Sequence, residues 1–278
     1  MSNVYIHPQT QQQLDSYSRD LPQSLVFTGP EGIGLSASVQ YLAKLLKAAP
    51  VYVLPEKDEK IDIDKGVITV DIIRRLYATT KTIETGTRLI IIDYAERMGV
   101  QAQNAFLKLL EEPGVNTHFI LLTHNVSRLL PTIRSRVQFV AVRPITTTQS
   151  DALLDELKVT DTTRRAQLLF IASGLPALLT ILATDDKLFQ VRAQIVRDAR
   201  EYLQGAMYDR LRISLAYKDS RQDALTLLLD AMKLLQSSLK SGQSPEQVKK
   251  ISVLLKAYDR IEANGNIRLQ LAANVGLL

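Results

Sequence analysis

The apolar run Ser24–Thr28, closed by Gly29-Pro-Glu-Gly-Ile-Gly34, constrains this chain more than any other feature. A short apolar run that feeds a glycine-rich turn reads as a buried strand turning sharply into a helix, here expected over Leu35–Ala48. Gly29 and Gly34 stand at the spacing of G-x-x-x-x-G-K-[ST], with Gly32 between them and Ser36 at the hydroxyl position. In that pattern glycines let backbone N–H groups converge on phosphate oxygens at a helix N-terminus. The lysine that would neutralise the terminal phosphates is replaced by Leu35. Leucine offers neither charge nor donor. Two readings follow: a weakened nucleotide loop built on Gly29, Gly32, Gly34 and Ser36, or a tight turn with no ligand, which is favoured. Valine at position 34 is expected to block such a loop without unfolding the chain.

The rest of the first half alternates in the same manner. Val51–Leu54, Leu89–Ile92, Phe119–Thr123 and Gln138–Val142 read as strands. Val70–Thr80 and Val100–Leu110 read as helices, the second stopped by Glu111-Glu-Pro-Gly114. Alternating strands and helices imply a parallel sheet with helices on both faces. After Pro144 the strand signal ends. Thr148–Leu157, Thr162–Ser173 and Pro176–Ala183 read as short helices, and Leu188–Gln204, Leu211–Leu239 (broken near Lys218 to Arg221) and Pro245–Ala263 as longer ones, with Ile267–Leu278 last. Gly242 with Pro245 marks one turn and Gly265 another. The expected parts are 1–144, 145–186 and 187–278. The stretch Ala224 to Leu235 is apolar around much of a helix circumference, so it is expected to need a covering surface, either a partner or its own bundle.

Two further places could carry chemistry. Asp93 ends the aliphatic run Leu89–Ile92, expected to lie one sheet position from the glycine-rich loop. An acid there suits either a magnesium-positioning role or an N-cap for the following segment. A working ATPase would follow it directly with Glu; here Tyr94 intervenes and Glu96 comes two residues later. The Pro-led short helix Pro131 to Arg136 carries Arg134 and Arg136, whose planar guanidinium groups suit bidentate phosphate contact. His7, His118 and His124 show no metal-ligand spacing and read as structural. No Ser/His/Asp set stands out.

Composition closes other routes. The chain has 278 residues and no Cys, which excludes disulfides and Cys-based metal sites and suits a reducing compartment. The first residues lack the basic and apolar regions of a signal peptide, and no apolar stretch reaches membrane-span length, so a cytoplasmic protein is expected. A net charge of +5 is compatible with a nucleic-acid partner and equally with an ordinary solvated surface.

Together these segments resemble the AAA+ clamp-loader family. Leu25 to Gly34 resembles its first strand and Walker A loop, and Val70-Asp-Ile-Ile-Arg74 the helix start before the Walker B strand. Asn104-Ala-Phe-Leu-Lys-Leu-Leu-Glu-Glu-Pro113 is the most specific match. Leu122-Thr123-His-Asn125 resembles the sensor 1 strand, with Thr123 as its sensor-like residue. Leu130 to Val137 resembles the Ser-Arg-Cys element, Val137 replacing Cys. Ala172 to Leu178 resembles the small lid, and Asn264 to Leu269 the last collar helix.

The resemblance implies a P-loop NTPase-like (AAA+) α/β domain, a helical lid and an all-α collar. Leu35 breaks Walker A, Tyr94 breaks Walker B, and Gly174-Leu-Pro176 lacks the usual sensor 2 Arg, while Arg136 is kept. That combination is similar to the delta-prime branch, which implies a subunit without ATPase activity that supplies an arginine finger, Arg136, to a neighbour. Gly29, Gly32, Gly34 and Ser36 would then be a degenerate Walker A and Asp93 a degenerate Walker B. No cofactor is expected beyond weak ATP binding, and no metal; the zinc module of bacterial relatives is absent, replaced by a short turn over Asp58 to Asp64. The implied partners are other clamp-loader subunits (gamma/tau and delta) in a hetero-pentamer, and through them the sliding clamp and primed DNA. An active gamma/tau-type ATPase and an AAA+-derived interaction scaffold are the alternatives.

Overall fold

The computed structural model describes residues 4–80, 86–239 and 245–278. It divides into two compact units, one formed by residues 1–160 with 172–180, the other by 161–171 with 181–278.

The first unit is built on a five-stranded parallel sheet. Its strands are β1 (Ser24–Thr28), β2 (Pro50–Val53), β5 (Arg88–Ile92), β6 (Thr117–Thr123) and β7 (Gln138–Ala141), in the order β2-β5-β6-β1-β7. A separate two-residue hairpin, β3 (Glu56–Lys57) with β4 (Lys60–Ile61), follows β2. The helices of this unit are α1 (Pro8–Tyr17), α2 (Leu35–Leu45), α3 (Val70–Thr80), α4 (Val100–Glu111), α5 (Pro131–Arg134) and α6 (Thr147–Glu156). Strand side chains alternate between the two faces. Val26, Ile90, Ile92, Phe119 and Leu121 pack on one face against α3 and α4, through Ile73, Leu76, Phe106 and Leu109. Leu25, Phe27, Leu89, Ile91, Ile120 and Leu122 pack on the other, against Leu14 of α1 and Val39 and Leu42 of α2. Each such aliphatic contributes about 1.5–3 kcal/mol on burial. Residues 89–92, buried on both faces, therefore can occupy only an inner strand.

Most expected elements fall within a residue or two of their positions in the structure; α2 is shorter than expected, ending at Leu45 rather than Ala48. The order of the strands differs from the expectation in one respect that matters. Asp93 does not lie one sheet position from the glycine-rich loop, because β6 is inserted between β5 and β1. Similarly, α5 stops at Arg134, and Arg136 lies beyond it, held by its N–H to the Ile133 carbonyl at 2.9 Å.

Residues 161–171 form nearly all of α7 (Thr162–Ala172), and α8 (Pro176–Thr184) follows it. The second unit continues with α9 (Asp186–Gln204), α10 (Met207–Ala216), α11 (Arg221–Leu239), α12 (Pro245–Glu262) and α13 (Ile267–Asn274). The turn expected at Gly242 lies outside the described residues. The core of this unit is Tyr202, Leu227, Leu228, Ala231, Leu254, Ile261 and Leu271. The buried Tyr202 hydroxyl donates to the Leu271 carbonyl at 2.6 Å, which ties α9 to α13. Ala224 to Leu235 thus finds its cover inside the chain on the side that carries Ala224, Leu227, Leu228 and Ala231, all fully buried. The exposed apolar stripe lies instead on α10, where Met207, Tyr208, Leu211 and Leu215 are all open to solvent. Among the described residues no helix is long and apolar enough to cross a membrane.

Candidate functional site

The glycine-rich loop leaves β1 at the carboxyl edge of the sheet and enters α2 through Gly34, whose φ is +86°. Gly32 also has a positive φ, +81°. Its carbonyl accepts from the N–H groups of Ala177 and Leu178, at 3.0 and 3.3 Å, so the loop caps the start of α8. A Cβ at Gly32 would stand 2.7 Å from the Leu178 Cβ. Gly29 is pinned from another side: His124 Nδ1 lies 2.7 Å from its carbonyl oxygen, which places the ring proton on Nδ1.

Leu35 points into the protein. It is 4% exposed and packs in the same cluster as Ile33, Val39, Leu42 and Leu175. The position that would carry a phosphate-binding cation is therefore a core position. At position 35 the loop therefore offers a triphosphate no cation.

Asp93 and Ser36 do come together, although β6 separates their strands. The Ser36 side chain is close enough to the Asp93 carboxylate to favour its charged form, and that carboxylate accepts the Tyr94 N–H at 2.9 Å. Burial pushes the Asp93 carboxyl above its ordinary value, and nearby Glu96 pushes the same way, against the Tyr94 N–H, His124 and Ser36. Tyr94 has φ +54°, with the Arg97 guanidinium 5.1 Å above its ring and His124 edge-on at 6.4 Å. Glu96 does not take the place of an acid beside Asp93: its Oε1 accepts the His124 N–H at 3.3 Å, and its Oε2 is buried without a partner among the described residues. Thr123 is fully buried at the end of β6, opposite Thr28, and accepts the Asn125 N–H at 3.1 Å. Among the described residues no group of three or more His, Cys, Asp or Glu is placed to hold a metal ion.

Arg136 stands elsewhere. It precedes β7, and β7 runs parallel to β1 with Gln138 level with Leu25 and Ala141 level with Thr28. The loop leaves β1 after Thr28, so Arg136 and the loop lie at opposite ends of neighbouring strands. At about 3.3 Å per residue, that separation keeps Arg136 from serving its own loop. Its Nη2 lies 2.9 Å from Glu111 Oε1 at the end of α4, and its Nη1 donates to the Thr132 carbonyl. Arg134 is exposed and forms no ion pair among the described residues.

Two contacts in this region had no signal in the sequence. One is His124 to Gly29, residues 95 apart. The other is Gln103 on α4, 2% exposed, whose Nε2 donates to the carbonyls of Met98 and Arg128 and whose Oε1 accepts the Leu130 N–H. Gln103 ties the segment that presents Arg136 to α4.

Substitution at the loop separates packing from ligand chemistry. Gly34→Val is expected to strain the loop, because a β-branched residue is disfavoured at φ +86°. Gly32→Ala is expected to cost about 2 kcal/mol, since its new methyl meets Leu178 at 2.7 Å in a left-handed backbone. Gly99→Ala, where nothing lies within 4 Å, is expected to cost under about 1 kcal/mol. Chemical denaturation of the three chains checks this; equal midpoints for Gly32→Ala and Gly99→Ala would contradict it.

A parallel sheet in this order, a glycine loop entering a helix, an acid on the second strand away and a helical region after the sheet define an AAA+-type chain. The family described as "DNA polymerase III, delta subunit" matches residues 6–146, and the chain belongs to this clamp-loader family. It is 44% identical over 84 residues to "DNA polymerase III subunit delta'" of Pseudomonas aeruginosa, covering 30% of this chain and 24% of that protein. It is 32% identical over 136 residues to "Replication factor C subunit 5" of Mus musculus, covering 46% of this chain and 38% of that one. The matched region is thus well under half of either relative. In fold, it is similar to a DNA polymerase III gamma subunit-related protein of Thermotoga maritima, with TM-score 0.51 and 22% identity over 97% of this chain and 98% of that one.

Proposed function

We propose that this chain is a delta-prime-type clamp-loader subunit that does not hydrolyse ATP itself and acts on a neighbouring subunit's nucleotide through Arg136. The observation that carries the first half is the burial of Leu35, at 4% exposed, where a triphosphate needs a cation. Without that charge, the terminal phosphate's developing negative charge has no lysine to stabilise it, and phosphoryl transfer rests on positioning and electrostatics. The backbone of Tyr94 supports the same reading, since φ +54° turns the chain away after Asp93 and Glu96 engages the His124 N–H instead of a water. The second half is supported by the place of Arg136, far from its own loop and half-exposed, with a solvent-exposed carboxylate and the Thr132 carbonyl to release. Partners on this reading are the other loader subunits, and through them the clamp and primed DNA.

The isolated chain is expected to release no phosphate from labelled ATP in a single-turnover assay. Release that disappears in Asp93→Asn would overturn the reading and favour a working ATPase, for which the Ser36–Asp93 contact would then be the metal-positioning pair.

A further inference from the structure

Within the helical unit, α7 and α9 are clamped together near their N-terminal ends. Arg164 reaches Asp186 at 2.5 Å, donates to the Ala183 carbonyl and lies 5.0 Å over the Phe189 ring. Beyond that clamp a cleft of about 640 Å³ opens between the two helices. Its floor is apolar, formed by Phe170 and Ile171 of α7 and Ala193 and Val196 of α9. The alanines at 166 and 193 leave room that larger side chains would fill. The size lies within the roughly 300–1,000 Å³ of sites that hold ligands.

The rim is cationic. Arg197 and Arg200 stand about one turn apart on α9, and both are exposed. The Arg197 guanidinium donates to the neutral Gln194 side chain at 2.7 and 3.1 Å, and Arg200 has no ion-pair partner among the described residues. Glu201, the acid lining the cleft, is neutralised by Arg212 at 2.7 Å. The cleft therefore offers an apolar floor beside two uncompensated positive charges.

We propose that this cleft docks an acidic amphipathic peptide segment of a partner protein, its apolar side chains on the floor and its carboxylates against Arg197 and Arg200. A nucleic-acid backbone would engage the arginines but leave the half-buried Phe170 and Val196 in contact with water. A peptide with apolar residues one turn apart and acids beside them covers both features, as helix-in-groove recognition does. The proposal does not depend on the state of the glycine-rich loop or on Arg136.

A library of short random peptides displayed on phage, selected on the full chain, supplies the probe. Selected peptides are expected to combine two or more apolar residues with neighbouring Asp or Glu. A fluorescein-labelled selected peptide is expected to bind about tenfold or more weakly, by anisotropy, to Ala166→Trp, which fills the cleft from an exposed position. The pair Arg197→Glu with Arg200→Glu is expected to weaken it by at least as much, and added salt to weaken binding to the unaltered chain. Circular dichroism confirms that each variant is folded. Labelled oligothymidylate, the nucleic-acid arm, is expected to bind Ala166→Trp and the unaltered chain alike. Recovery of no peptide whose binding Ala166→Trp weakens overturns the proposal. So does oligothymidylate binding that is lost with the two arginines while no peptide binds, which would make the rim a nucleic-acid surface.

Discussion

Arg136→Ala is expected to lower the DNA-stimulated ATP turnover of a reconstituted loader complex by roughly 10³-fold at the site it serves, while the altered chain still folds and assembles. Folding should survive because the Arg136–Glu111 pair is exposed on both sides, 41% and 55%, and such pairs are worth under about 1 kcal/mol. The backbone beneath Arg136 is held independently, by its N–H to Ile133 and by Gln103 through Leu130. The side chain can then leave a solvated carboxylate for a phosphate, which a guanidinium binds in bidentate geometry. Lysine is a poor substitute for that planar fork, so Arg136→Lys should recover little. Arg134→Ala should do less than Arg136→Ala, since Arg134 is the last residue of α5 and projects from a different part of the turn. Steady-state ATPase with clamp and primed DNA is the measurement, with assembly checked by gel filtration. Wild-type turnover from a fully assembled Arg136→Ala complex would make the chain a structural member of its ring.

The sheet was legible because its inner strands are unbroken aliphatic runs; residues 89–92 admit no other reading. What a single sequence does not carry is strand order, and the misplacement of Asp93 relative to the loop follows from that: β6 comes later in the chain yet inserts between β5 and β1. Two elements gave no pattern. The helix α1 reads Pro-Gln-Thr-Gln-Gln-Gln-Leu-Asp-Ser-Tyr and buries only Thr10 and Leu14, too few for a period to show. The β3–β4 hairpin turns through Asp58 and Glu59 at φ +50° and +62°, without the glycine or asparagine that usually announces such a turn. It is held by the backbone bridge of Glu56 with Val67, N–H to carbonyl at 3.1 and 3.0 Å, with the Glu56–Arg75 ion pair beside it. At the loop, the sequence showed that the lysine is missing; only the burial of Leu35 in a cluster with Val39 and Leu42, against which the distant Leu175 also packs, shows what the replacement does. The His124 and Gln103 contacts likewise join distant residues whose identities alone suggest nothing.

The same limit hides the main polar contact of the helical unit, and removing it is expected to cost about 3–5 kcal/mol. Asp230 on α11 has a side chain only 2% exposed and receives both Nη atoms of Arg192 on α9, at 2.8 and 3.3 Å. Lys233 Nζ lies 3.8 Å away on the same helix. Burial lowers the Lys233 ammonium from its ordinary value, and the Asp230 carboxylate is the group that opposes this. Asp230→Ala therefore leaves Arg192, 16% exposed, and Lys233 as neighbouring cations in a site poor in water. Like charges at that distance repel, and the guanidinium loses the carboxylate that accepts from it. A double change, Arg192→Met with Asp230→Leu, removes the charged pair and refills the volume, and should regain most of the loss, because well-packed apolar residues commonly replace a buried ion pair at little cost. Urea denaturation of the full chain followed by far-ultraviolet circular dichroism gives the comparison. A loss below about 1 kcal/mol in Asp230→Ala, or a double variant no better than the single, would show that the α9–α11 seam is held by Leu227, Leu228 and Ala231 alone. If the seam does depend on the pair, the exposed stripe of α10 is carried on a scaffold whose stability turns on one carboxylate, because α10 packs against α9.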